Sequence, residues 1–516
     1  SLLLFRGCVG PGFWACGWNN CLVAKGFKAV DRDQGFLLPV DMRDWLPADH
    51  LVWFVIEVIE SLDLSAFRGR YRLGRAGREA FDPVMMVTLL AYAYCRGLRS
   101  SRGIERACLT DVAFRIVCGQ RRPDHTVIAR FRAGHEGALS DLFAQVLVVC
   151  GRAGMGQVDL VAIDGTKIAA NAALDRSRDL AWYRKHAAAF LKEASQVDEA
   201  EDAAEAAAGE PADPLLRDPS GRRERIRQVL EEFNNRQANQ TQPVVEAEAR
   251  ARQARADYEA LVAARQAGIQ AQRQGNHIGR SFDPDLVPKR HQAALRRAER
   301  AEKFVTTLRE RLTRQSPVRV NQTDPQSKIM KTRQGWVQGY NCQIAVSADG
   351  LILVAQATTQ ATDNAQFIPI MTKAVEAVDL INTTTGQSRQ IRTVLADAGY
   401  YSEANLAAPG PDRIIAAGKA HNITANNPGT GKPRPINERN TASTAMINRL
   451  SDPDTATLYK RRSALIEPIN AHLKDRRGLR VFARRGQPAA HSELRFAAAI
   501  TNLMRLRNTG YQPQPA

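Results

Sequence analysis

The sequence predicts an α/β domain interrupted by a long α-helical, coiled-coil-like segment and preceded by an all-α region. Three observations carry this prediction. Two apolar, strand-like runs, "LVAIDGTKIA" (160–169) and "IRTVLADAGYYS" (391–402), each break at an aspartate followed closely by glycine. Between them, residues 176–316 are dominated by alanine, glutamate, glutamine and arginine, with sparse glycine. Ahead of both, residues 36–150 follow helical patterning.

At 516 residues the chain exceeds what one ordinary core supports. The expected division is a tail or non-native extension over 1–28, a helical domain over 29–150, and the first part of the α/β domain over 151–175. A helical insertion over 176–320 and the remainder of the α/β domain over 321–510 complete it. The net charge of +18 favours a polyanionic partner, with nucleic acid the first candidate. No run of eighteen uncharged apolar residues is present, so no membrane span is expected. The apolar start "SLLLFRGCVGPGFWACGWNNC" is interrupted by Arg6 and glycines and makes a poor signal peptide. Eight cysteines without a C-x-x-C pair, and nine histidines without ligand spacing, fit a reducing cytoplasm and argue against zinc.

In chain order, Asp82-Pro83 opens a helix over 81–98 that stops near Gly97. Ser100 or Ser101 caps a second over 100–119, with Glu105 in its first turns. A third, short and basic, spans 122–135 and is expected to show Arg130 and Arg132 near an exposed face. Three such helices suit either a helix-turn-helix DNA contact or a plain bundle with a solvated basic face. Asp164-Gly165-Thr166-Lys167 then ends the first strand. The stretches 244–273 and 289–315 read as long charged helices, with Phe304, Leu308 and Leu312 forming a narrow apolar stripe; residues 201–223 have a disordered composition. Residues 339–347 and 351–359 are joined by Ala348-Asp349-Gly350 as a hairpin. Asp363 is expected to cap an amphipathic helix over 363–379. Strands over 391–402 and 413–417, a polar loop over 420–456 and a helix over 456–478 follow.

Asp164 and Asp397 share a setting: each stands at the carboxyl end of an apolar strand, where open α/β sheets bind ligands. Adjacent strands would bring the two carboxylates together, and that pairing requires a cation. Oxygen-only ligands favour Mg²⁺ or Mn²⁺. The best third ligand is Glu467, which shares a helical face with Asn470 and Lys474, so that a metal-binding acid is followed by a base placed for phosphate. The competing reading of Glu467 is a surface ion pair with Arg461 or Arg462. Lys167 is placed to reach a phosphate or to face solvent. Glu493, a rival acid, lacks a basic residue seven positions on and ranks below Glu467.

These blocks together resemble the DDE transposases of bacterial insertion sequences, most closely the IS1182-like group within the IS4 and IS5 relatives. The resemblance runs from about Asp31 to Leu506, through "DRDQGFLLPVDMRDWLPADHL", "GLRSSRGIERACLTDVAFRIVCGQRRPDHTVIARFR", "VAIDGTKIAANA", "KTRQGWVQGYNCQIAVS", "VLADAGYYSEANL" and "YKRRSALIEPINAHLKDRRGLRVFARRG". It implies an RNase H-like catalytic domain with Asp164 on the first strand, Asp397 after the fourth and Glu467 on the final helix, holding two ions. The last block is similar to a Tyr, Arg, Glu, Lys signature through Tyr459, Arg462, Glu467 and Lys474. Four residues instead of three separate Arg462 from Glu467, so Arg461 and Arg462 are both candidates for the phosphate-orienting arginine. Implied by the resemblance are metal-dependent cleavage of transposon ends, transfer of the 3'-hydroxyl into double-stranded target DNA, a homodimer or larger synaptic complex, and a place at the bacterial nucleoid. The N-terminal helices would read the transposon end. A nuclease of the same fold without strand transfer, and an inactive DNA-binding regulator, share these residues and stand as alternatives.

Overall fold

A computed structural model describes residues 27–28, 41–69, 71, 79–183, 185, 219–275, 283, 286–332, 335–417 and 441–513. The expected tail therefore falls outside the described residues except for Phe27 and Lys28, as does the expected disorder up to residue 218. The chain forms two compact units, one of residues 1–168 with 341–516 and one of 169–340. Among the described residues, no helix is long and apolar enough to cross a membrane.

Among the described residues the first unit carries, besides the single-turn helix Ser65–Arg68, the helices α1 (Leu51–Glu60), α2 (Pro83–Cys95), α3 (Ser101–Thr110), α4 (Val112–Val117), α5 (His125–Gly134) and α6 (Glu136–Arg152). Asp82 caps α2 by accepting from Val84 N, and Pro83 sits in the first turn where no N–H is needed. Every residue from Met85 to Tyr94 is buried, so α2 is a core helix apolar on all sides. The single helix expected over 100–119 is two, because the Asp111 carboxylate accepts from Ala113 and Phe114 N and starts α4 afresh. The first strand of the main sheet, β1 (Leu160–Ala169), follows; it does not end at Asp164–Lys167 as expected but runs through them, extending beyond the last residue that pairs with the neighbouring parallel strand, Ile163.

The second unit is built on α7 (Pro219–Arg273) and α8 (Lys289–Thr313). Glu248 pairs with Arg309, Arg255 with Glu302, and His291 with the Leu261 carbonyl. Those contacts run in opposite directions along the two helices, so they are antiparallel. Ala247 and Ala251 pack on Val305. The expected stripe is corrected at one position: Phe304 is 54% exposed, whereas Leu308 packs against the Ala247, Ala251 and Val305 cluster, and Ala298 is fully buried. Short strands Ser177–Asp179 and Arg319–Asn321 pair antiparallel. Lys328–Thr332 pairs with the start of β2 (Gly335–Ser347).

The first unit resumes within β2, which pairs antiparallel with β3 (Ile352–Thr358). The turn between them holds Gly350 at φ 81°, a left-handed conformation that glycine adopts without a Cβ penalty. Then come α9 (Phe367–Thr385), β4 (Thr393–Ala396), α10 (Glu403–Ala407), β5 (Asp412–Ile415), α11 (Thr441–Leu450), α12 (Pro453–Ala471) and α13 (Gln487–Asn508). The strand order in this unit is β3-β2-β1-β4-β5, with β1, β4 and β5 parallel. Val161–Ile163, Val394–Ala396 and Ile414–Ile415 are buried, as suits parallel strands covered on both faces. α13 packs on α6 and on β3, and α9 packs on α6 and on β3.

Two expectations change in detail. The strand expected over 391–402 stops at Ala396, because Asp397 accepts from Gly399 N and turns the chain into a 3-10 segment, Ala398–Tyr400. The polar loop expected over 420–456 contains α11, whose Met446 and Leu450, one helical turn apart, pack in a cluster with Leu395 and Ile414.

Candidate active site

The sheet register brings two carboxylates side by side. Ile163 of β1 is paired with Ala396 of β4, so the next residue on each strand is an aspartate, Asp164 and Asp397. Neighbouring strands lie about 4.8 Å apart, which sets the spacing of the two backbones at this point. Burial pushes the Asp164 carboxyl up to about 6; Arg462 opposes that shift, and the negative charges of Asp397 and Asp363 add to it. Asp164 is thus a desolvated carboxylate whose burial outweighs the compensation that Arg462 supplies.

α12 closes one side of this site. Asn470 donates from Nδ2 to Asp164 Oδ2 at 3.0 Å, and Arg462 Nη1 stands 3.8 Å from Oδ1. Burial raises the pKa of Tyr459, and the charge of Arg462 opposes that shift. At about 100° per residue, Arg462 and Asn470 lie roughly 80° apart around the helix, whereas Glu467 lies about 140° from Arg462. Glu467 is accordingly exposed, as is Arg461, while Arg462, Tyr459 and Asn470 are half-buried. Pro468 interrupts the hydrogen-bond ladder of α12, which then widens into a π turn, His472–Arg476. Lys474 within that turn is half-buried; burial lowers its pKa, and the charge of Asp164 acts on it in the opposite sense.

The other side is organised by Asp363. It stands at the first position of the Asn364–Gln366 turn, but its side chain makes no capping bond, correcting the expected cap. Its Oδ1 accepts from Asn341 Nδ2 and Gln343 Nε2, both at 2.7 Å, and Lys167 Nζ bridges both carboxylate oxygens at 3.1 Å. Lys167 is therefore committed to Asp363, facing neither open solvent nor a vacant phosphate position. The sequence carried no local sign of this cluster, since its members lie on β1, β2 and a distant turn.

Arg130 is exposed on α5. Arg132 corrects the expectation of an exposed face: it is buried, and its guanidinium donates to the Arg99 carbonyl at 2.6 Å and to Ser101 Oγ at 3.4 Å. Glu493 is also buried, bound to Arg99 and to Ala483 N, which makes it a structural brace. Among the described residues no group of three or more His, Cys, Asp or Glu is arranged to hold a metal ion. The oxygen donors that meet at the sheet edge are Asp164 and Asp397, with Asn470 Oδ1 beside Asp164, buried and lacking a hydrogen-bond partner.

A transposase domain (DUF772) matches residues 40–134, covering α1 to α5. A transposase DDE domain matches residues 312–503, covering β2 to most of α13 and including Asp363, Asp397 and all of α12. Asp164 lies outside both matches and is joined to the second by the β1–β4 pairing. No curated protein and no solved structure matches the chain. A DDE domain implies an RNase H-like fold, and the sheet is mixed with helices packed against it. Both matched models are transposase domains and together span more than half of the sequence; the chain belongs to the DDE transposases of insertion sequences, in the IS1182-like group.

Proposed function

We propose that the chain cuts the ends of its own mobile element and joins the freed 3'-hydroxyl to target DNA, with Asp164 and Asp397 as the central catalytic pair. The observation that carries this reading is the register of β1 against β4, which aligns two aspartates where the pairing of these parallel strands stops. Mg²⁺ or Mn²⁺ fits the oxygen-only donor set, the proton-retaining environment of Asp164 and the orphaned Asn470 Oδ1. Asp164 and Asp397 would hold two such ions, with Glu467 as the third carboxylate. When bound, they supply Lewis-acid activation of a water or 3'-hydroxyl and stabilisation of the leaving oxygen.

The protein's own groups have separable tasks. Asn470 fixes the Asp164 carboxylate, and Arg462, 3.8 Å from that carboxylate, offers positive charge to a phosphate beside it. Lys474 adds a second cation there. Arg461 and Arg130, both exposed, are placed to meet DNA backbone, and the net charge of +18 favours that encounter. Bringing two element ends together calls for a dimer or larger synaptic complex.

The test uses duplexes taken from the DNA flanking the protein's own gene, with Mg²⁺. Wild type is expected to nick these duplexes and to join a pre-cut 3'-hydroxyl end to plasmid. Cleavage without joining would assign a nuclease, and neither activity would favour the regulator. Glu467→Gln decides the third position: retained activity removes Glu467 from the set.

A further inference from the structure

We propose that Asp363 is a positioning residue for the two-aspartate site, clamping the backbone behind both Asp164 and Asp397; the inference rests on the reading above. Its carboxylate reaches the Asp164 strand through Lys167, three residues beyond Asp164 on β1. It lies directly over Gly165: a β-carbon there would overlap Asp363 Oδ1 and stand 2.6 Å from Gln343 Nε2. It reaches the turn after Asp397 by two further routes. A β-carbon on Gly399 would stand 3.0 Å from Asp397 Oδ1 and 3.5 Å from Asp363 Oδ2, so the carboxylates flank the same glycine. Gln343, which donates to Asp363, accepts from the buried Tyr400 hydroxyl.

The neighbouring residue extends the clamp. Asn364 donates to the Tyr401 carbonyl at 3.2 Å, and Asn405 bridges the carbonyls of Asn364 and Tyr400 at 2.8 and 2.7 Å. The 363–364 segment thus grips β1 just beyond Asp164 and the turn just beyond Asp397, while β2 holds it through Asn341 and Gln343. Lys167 and Asp363 are 16% and 19% exposed, which makes their pair a largely desolvated fixture that a surface ion pair would not match. Lys167 also keeps the Asp363 charge engaged, so the carboxylate is held in place as a brace between β1 and the turn after Asp397.

The test measures Mn²⁺ binding by electron paramagnetic resonance on the full chain, with thermal melting to match folded fractions. Asp363→Asn keeps an acceptor for Asn341 and Gln343 but strands Lys167, so Lys167→Met/Asp363→Asn is the paired variant that restores neutrality. The double variant is expected to melt close to wild type and to bind Mn²⁺ at least tenfold more weakly. A well-folded double variant with wild-type Mn²⁺ affinity would overturn the positioning role. Asp397→Asn is measured beside it: if it retains wild-type affinity while the double variant weakens, the two-aspartate reading fails and Asp363 acts on some other site.

Discussion

Two carboxylates flank Gly165, and they are treated differently. Asp363 is matched by an ammonium and two amides, each within hydrogen-bond reach. Asp164 has one amide and a guanidinium that stands 3.8 Å away, and it faces the negative charge of Asp397. The difference separates structure from chemistry: a satisfied buried carboxylate braces the fold, while an undercompensated one at a sheet edge is ready for a cation.

The largest effect that would break this comparison is catalytic. Asp164→Asn and Asp397→Asn are each expected to lower cleavage by about 10³-fold, on the order of 4 kcal/mol of transition-state stabilisation, in a time course on labelled duplex. Stability is expected to move the opposite way at Asp164. Its carboxyl titrates at about 6 in the folded chain against an ordinary 3.8, so the folded state holds more protons between those values. The associated stability is fully present below pH 4 and is lost as pH rises through 6. In EDTA at pH 7, Asp164→Asn should therefore melt above wild type by the equivalent of roughly 2 to 3 kcal/mol, and this advantage should vanish near pH 4. An unchanged melting temperature at pH 7 would mean that Asp164 is better compensated than its neighbours imply.

Gly165→Ala tests the space between the two carboxylates. The added methyl would overlap Asp363 and crowd Gln343, and overpacking of that kind costs about 1 to 3 kcal/mol. Calorimetric unfolding should show the loss, with divalent-ion affinity falling in parallel. The smallest effect is expected on α12. Arg461→Ala, at an exposed position, should alter stability by less than about 0.5 kcal/mol. Arg462→Ala should raise the Asp164 carboxyl further and move the pH dependence of activity upward. Equal effects from the two substitutions would erase the distinction between them.

The apolar run before Asp164 was readable as a local pattern, but its end was not: β1 continues through Asp164-Gly165 to Ala169, and only its pairing with β4 stops at Ile163 and Ala396. The hairpin through Asp349-Gly350 was local too. The Asp363 cluster was not, since Lys167, Asn341, Gln343 and Asp363 meet only when β1 and β2 and the turn before α9 are folded. Periodicity gives a helix its faces but not which face the core takes, which explains Arg132 buried and Phe304 exposed. The arginine spacing shows the same limit: counted along the chain Arg462 is one residue too far from Glu467, yet around the helix it lies beside Asp164. α11 was hidden because only Met446 and Leu450 mark its buried side within a polar composition.

The most direct measurement of the central claim is strand transfer of a pre-cut 3'-hydroxyl duplex from the gene's flanking DNA into supercoiled plasmid with Mg²⁺. Wild type is expected to give joined products, and Asp164→Asn and Asp397→Asn none, at matched folded concentration. Joined products from either variant at the wild-type rate would contradict the claim.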